Sequence, residues 1–153
     1  MQPPAAATSE RPPSVHGDAG SLAVSGDERT TYNVAFDALK AGKYDDSAQL
    51  FLSFLELYPS GVYAPNALYW LGESYYVTQN YELGLQAFQT LLSRYPGSRK
   101  EGDALLKQGY CEIALGRRAE GEASLRGVMS RFPGTDAAAK AESRLRTLAL
   151  ENR

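Results

Sequence analysis

An all-α solenoid of three helix pairs, closed by a C-terminal capping helix, is the fold class that this 153-residue sequence predicts, and three observations carry it. The first is an internal repeat. Pro59, Pro96 and Pro133 lie 37 residues apart, each preceded by an aromatic residue: Tyr58, Tyr95 and Phe132. The same offset relates Tyr32 to Tyr69, Tyr44 to Tyr81, Phe51 to Phe88 and Leu55 to Leu92, and Ala67, Leu68 and Gly72 to Ala104, Leu105 and Gly109. The second is a helical apolar period within each copy: Leu68, Leu71 and Tyr75, then Leu85, Phe88, Leu91 and Leu92, recur at three- and four-residue steps. The third is punctuation. Gly42, Asn80 and Gly116 divide the copies midway, since Gly and Asn tolerate the left-handed conformation that ends a helix. Each second helix stops at the aromatic-Pro pair, because the residue before proline is pushed out of the helical region.

The chain opens on a segment of different composition. Four of the eight prolines (Pro3, Pro4, Pro12, Pro13) lie in the first thirteen residues, and the first aromatic residue is Tyr32. Residues 1–28 therefore read as a flexible Pro/Ala/Ser linker that cannot offset its ordering entropy. The run Ala5 to Ala7 is too short and too weakly apolar for the core of a signal peptide, and no apolar run approaches a membrane span. A chain that starts with Met1 and such a linker reads as a fragment whose natural N-terminal part has been removed. The repeat domain follows over residues 29–153, with copies at about 29–60, 61–97 and 98–134. Small residues pair at Ala35/Ser47, Gly72/Gly84 and Gly109/Gly121, where paired helices would approach closely. A last helix is expected at about 135–151. Thr135 or Asp136 would cap it, and Ala138, Ala141, Leu145 and Leu148 form its apolar stripe beside Lys140, Arg144 and Arg146. It would cover the final exposed core face.

The second copy carries Leu68, Leu71, Gly72, Tyr75, Gly84, Phe88, Leu91 and Pro96 where the tetratricopeptide repeat places its signature. The third has Leu105, Gln108, Gly109, Glu112, Gly121, Leu125, Val128 and Pro133, and the first has Thr31, Val34, Ala35, Ala38, Ser47, Phe51, Phe54 and Pro59. The chain thus resembles the tetratricopeptide-repeat family, which implies a right-handed superhelix. Its period exceeds the usual 34 residues by about three, and these fall between Pro59 and Gly72. The strings Ala64 to Tyr76 and Asp103 to Tyr110, with the aromatic-Pro stops, further resemble the C-terminal domain of the Tol-Pal system TPR family, the cell division coordinator CpoB (YbgF) family. That resemblance covers roughly residues 30–150. It implies a non-enzymatic interaction module of the Gram-negative periplasm, with TolA and the septal peptidoglycan synthase machinery as partners. The module would coordinate outer-membrane constriction with septal peptidoglycan synthesis during cell division. A homotrimer would form only through an N-terminal coiled coil, which is absent here.

Charge and residue supply exclude several chemistries. Sixteen Lys plus Arg against eighteen Asp plus Glu leave a net charge of -2, with no cationic excess for a nucleic-acid backbone. One Cys and one His leave no intrachain disulfide, Cys/His zinc site or Ser/His/Asp triad. No catalytic residue, cofactor or metal site is expected, and no direct membrane insertion. His16 reads as a solvated linker residue and Cys111 as a small buried hydrophobe. Asp45-Asp46 complement a helix dipole rather than bind metal, and Arg117-Arg118 form a solvated corner rather than an anion site.

Binding is the remaining function, and repeat geometry narrows its place. First helices of stacked pairs line the concave side, each presenting one stripe of residues. The stripe reads Tyr32, Phe36 and Lys40, then Asn66, Tyr69, Glu73 and Tyr76, then Asp103, Leu106, Lys107 and Tyr110. Trp70 either rims this partner-binding groove or packs beneath the long join. Aromatics interleaved with amides and charges suit capture of a helix or extended peptide. A competing reading has several of these tyrosines only closing the interface between adjacent helices. A two-carboxylate clamp is disfavoured, because its cations and amides are replaced by Tyr32, Phe36, Trp70 and Asp103, with Lys107 the one cation. The alternative function is a scaffold or chaperone-like adaptor of outer-membrane assembly. In its lipoprotein form that would need a lipidated Cys near the N-terminus, and none precedes Cys111. An enzyme is the least supported class.

Overall fold

Short turns with a left-handed residue separate the helices of each pair. The computed structural model describes residues 27–151, which form seven α-helices: α1 (Glu28–Lys40), α2 (Tyr44–Leu57), α3 (Ala64–Val77), α4 (Tyr81–Arg94), α5 (Glu101–Ala114), α6 (Arg118–Arg131) and α7 (Asp136–Glu151). No strand occurs among the described residues. His16 and most of the expected linker lie outside them. The helical part begins within the segment read as linker: the Asp27 side chain accepts the Thr30 N–H at 2.7 Å and caps α1, of which Glu28 is the first residue.

Gly42 and Gly116 hold the left-handed conformation, at φ 79° and 83°. In the middle turn that role falls to Gln79, at φ 65°, while Asn80 has φ -89° and flanks the start of α4. This corrects the assignment of Asn80. Position 79 lies one repeat offset from both glycines, so backbone register outweighs the preference of Asn for this conformation. Tyr58, Tyr95 and Phe132 end α2, α4 and α6 as expected, with φ near -130° in each. Asp45 and Asp46 lie in the first turn of α2, where carboxylates meet unsatisfied N–H groups. Pro65 sits in the first turn of α3, which needs no donor there. Of the two candidates for capping α7, Thr135 does so: its Oγ1 accepts the Ala138 N–H at 3.1 Å.

The chain divides into two compact units, one ending at Gln79 and the other beginning at Asn80. In the first, α2 packs against α1 and α3. Phe51 and Phe54 are completely buried, each worth about 1.5–3 kcal/mol relative to exposure. Ala35 and Ser47 meet as their small size requires: the Ser47 Oγ donates to the Ala35 carbonyl at 3.3 Å, and the Ser74 Oγ donates to Ser47 at 3.3 Å.

In the second unit, α5 packs against α4 and α6, and α7 covers both α6 and α5. Leu105, Leu106, Leu125, Val128, Ala137, Ala138, Ala141 and Leu148 form one apolar cluster, so α7 closes the core as a cap should. Gly109 and Gly121 let α5 and α6 nearly touch: a Cβ on Gly121 would stand 2.9 Å from the Gly109 carbonyl oxygen and 2.5 Å from Ile113 Cγ1. Cys111 is fully buried. The Arg117-Arg118 corner is tied down rather than merely solvated. Arg117 donates to both oxygens of Glu82 at 3.2 and 3.0 Å, whereas Arg118 donates to Glu122 at 3.0 Å and to the Leu148 carbonyl.

Candidate functional site

The first helices carry the candidate surface, one layer in each unit. In the first unit α1 touches α3. Tyr32 is only 7% exposed and lies at the centre of an aromatic cluster. Its ring stacks on Tyr63 at 4.8 Å and on Phe36 at 6.0 Å between centroids, and meets Phe51 and Phe54 edge-on at 5.8 Å. Burial pushes its hydroxyl above the usual tyrosine range, while hydrogen bonds with Trp70 and Asn66 pull the other way. The indole is a donor only, so Tyr32 accepts from Trp70. Tyr32 therefore sits beneath the surface and fixes two α3 residues that reach it.

Trp70 packs against Phe36 of α1 at 5.4 Å and against the edge of Tyr69 at 4.9 Å. Half-buried Phe36, Asn66, Trp70, Glu73 and Tyr76 make up this layer, with exposed Lys40 at its end. The Lys40 Nζ lies 5.2 Å from the Phe36 ring centre and 3.5 Å from Asp37.

In the second unit α5 touches α7. Lys107 and Arg144 flank one ring: the Lys107 Nζ is 5.7 Å and the Arg144 Cζ 4.9 Å from the centre of Tyr110. Burial raises the Tyr110 hydroxyl pKa, and the Arg144 charge opposes that shift. Asp103 pairs with Lys100 at 3.9 Å.

Three stripe residues belong to the interior instead. Tyr32, Tyr69 and Leu106 are 7%, 8% and 2% exposed, so all three close helix packing, the two tyrosines as in the competing reading and Leu106 as a correction to the stripe. They occupy one repeat position, 37 residues apart, and that position faces inward in every copy. The neighbouring positions, at Trp70 and Lys107 and at Asn66 and Asp103, are half-buried. Sequence reasoning missed Arg144 and Lys140 as members of the stripe. The signal was present: one offset beyond Lys107 is Arg144, and one beyond Asp103 is Lys140.

Glu112 is a buried carboxylate, 6% exposed, but its oxygens are engaged. Ser124 donates to one at 2.6 Å and Gln108 to the other at 3.2 Å, which bridges α5 to α6. Among the described residues no group of three His, Cys, Asp or Glu side chains is placed to hold a metal ion, and no helix is long and apolar enough to cross a membrane.

Two tetratricopeptide-repeat sequence models match the chain, over residues 35–99 and 103–135. The cell division coordinator CpoB of Pseudomonas putida is 48% identical over 46 residues, which is 30% of this chain and 17% of that protein. CpoB of Escherichia coli K12 is 38% identical over 60 residues, 39% of this chain and 23% of that protein. The matches thus span about a fifth of the length of these curated relatives. Among solved structures, the Yersinia enterocolitica type III secretion chaperone SycD, in complex with a peptide of the translocator YopD, superposes with a TM-score of 0.70 at 19% identity, covering 82% of this chain and 94% of that one.

Proposed function

Because this chain belongs to the tetratricopeptide-repeat family and its repeats are of the CpoB type, we propose that it binds TolA as the interaction module of a periplasmic Tol-Pal system. The repeats and the relatives indicate a module for protein interaction rather than catalysis. In the finer reading it coordinates outer-membrane constriction with septal peptidoglycan synthesis during division, with the septal synthase machinery as a further partner. The similarity to the cell division coordinators carries this proposal. The aromatic layer of Phe36, Trp70 and Tyr76 supports it, since half-buried rings beside polar groups supply contact area at low entropic cost.

Calorimetry with the periplasmic part of TolA tests the proposal. Saturable binding that weakens about tenfold, or about 1.4 kcal/mol, in Tyr76→Ala with unchanged circular dichroism is the expected result. No heat of binding to folded TolA would reject it. A second reading, a chaperone-like adaptor of envelope assembly, is favoured by the likeness to SycD, whose structure holds a translocator peptide. Binding of unfolded outer-membrane protein segments, with none of TolA, would select that reading.

A further inference from the structure

Cations collect on the first-helix layer of the second unit. One outward repeat position reads Asn33, Trp70, Lys107 and Arg144 along the chain, and another reads Arg29, Asn66, Asp103 and Lys140. The last turn of this series is therefore basic although the chain as a whole is acidic, with a net charge of -2 and a pI near 5.5. Lys140 and Arg144, four residues apart on α7, share a helix face.

Arg117, Arg118, Arg126, Arg131 and Arg146 each pair with a glutamate, whereas Arg144, like Arg94 and Arg99, takes part in none of the ion pairs among the described residues. It lies against the Tyr110 ring, which Lys107 flanks as well. A guanidinium resting on an aromatic face keeps its edge donors directed outward and has already lost much of its rotamer freedom. Such a group is preorganised for a planar carboxylate.

We infer that Tyr110, Lys107 and Arg144, with Lys140 beside them, form a subsite for the side-chain carboxylate of an acidic, extended segment of the partner protein. The inference rests on the reading of the first-helix layer as the partner surface. Charge complementarity selects the occupant. Asp103, one turn before Lys107 on α5 and itself paired with Lys100, offers no cation to a second acid there, so the segment places its carboxylate towards α7. A bilayer or nucleic acid would need a broad positive field, and Asp103 and Asp136, each one turn before a cation of this face, interrupt it.

Nitrogen-15 NMR of the whole chain, titrated with a blocked peptide alternating glutamate and leucine, tests the subsite. A counterpart with lysine for glutamate and vesicles of phosphatidylglycerol serve as the other probes. The acidic peptide is expected to shift the Arg144 Nε–H and Tyr110 amide signals, and to bind more weakly as salt is added. Arg144→Gln should weaken it about tenfold, whereas Arg146→Gln, which removes a cation already held by Glu142, should leave it unchanged. Equal binding of the lysine peptide, parental affinity in Arg144→Gln, or binding of vesicles but not peptide would each overturn the inference. The peptide replaces TolA in this experiment, so its failure is separate from a failure of TolA to bind.

Discussion

The Glu28 carboxylate accepts the backbone N–H of Tyr63 at 2.9 Å, tying the first turn of α1 to the residue before α3, 35 positions away. Gly61 lies so close that any Cβ there would collide with the same carboxylate. This contact closes the six-residue join between α2 and α3.

Its pH dependence follows from burial. Desolvation raises the Glu28 pKa above 4.5, opposed by the Tyr63 N–H and reinforced by the Asp27 charge. A carboxyl with a raised folded-state pKa holds its proton more tightly in the folded chain. It therefore favours folding below the unfolded value and loses that contribution as pH rises through the folded one. Glu28→Gln keeps an acceptor for Tyr63 but removes the titration. The melting temperature of the variant relative to the parent should thus improve from about pH 4 to pH 7. A constant difference would show that Glu28 is no more desolvated in the folded chain than in the unfolded one.

Helix approach in the second unit can be tested with two glycines on α6. A methyl group at Gly121 meets the Gly109 carbonyl at 2.9 Å and Ile113 at 2.5 Å, so Gly121→Ala should destabilise by about 1–3 kcal/mol. At Gly127 the nearest atom is Leu105 Cδ2, at an ordinary 3.4 Å. Gly127→Ala should therefore gain up to about 1 kcal/mol from helix propensity. Urea denaturation of both variants measures the pair. Equal effects would mean that the two helices separate readily, contrary to the packing described.

The polar bridge between the same helices gives a cycle with a definite sign. Ser124→Ala removes the 2.6 Å donor to buried Glu112 and should cost about 1–3 kcal/mol. Glu112→Leu with Ser124→Ala removes both partners and should restore part of that loss. Additive losses in the double variant would deny that the two side chains act together.

Much of the fold was legible because its signals are steric. Tyr58, Tyr95 and Phe132 end helices since each precedes a proline, and Gly42 and Gly116 turn the chain where few other residues fit comfortably. Gln79 was missed because residue preference was read in place of the repeat register. The inward position of Leu106 was missed, and that of Tyr32 and Tyr69 left open between two readings, for a related reason. Tyrosine suits both an interface and a core, and adjacent helical residues point about 100° apart. Leu106, at the same repeat position, carries the information that the two tyrosines obscure. Arg144 was read as a polar neighbour on a cap and not as a stripe residue, although the register of α7 continues that of α5. Glu28 had no sequence signal, since its partner is a backbone N–H in a distant loop.

The candidate surface of the first unit has a built-in reporter, because Trp70 is the single tryptophan. Its ring packs on Phe36 at 5.4 Å, and its indole N–H is held by the buried Tyr32 hydroxyl. A partner seated on α1 and α3 would cover this half-buried ring and exclude water from it. TolA should then move Trp70 emission to shorter wavelength and reduce its quenching by iodide. Phe36→Ala removes the ring that supports Trp70 and should cost about 1–3 kcal/mol of binding. Tyr32→Phe retains the aromatic packing and loses the hydroxyl's hydrogen bonds with Trp70 and Asn66, each worth about 1 kcal/mol. If orientation of Trp70 matters, this variant should lose affinity for TolA while remaining helical. Binding with unaltered Trp70 emission, and with full affinity in Phe36→Ala, would remove α1 and α3 from the interface. Loss of affinity in Phe36→Ala but not in Tyr32→Phe would instead assign the effect to ring area rather than to the hydrogen bond that fixes the indole.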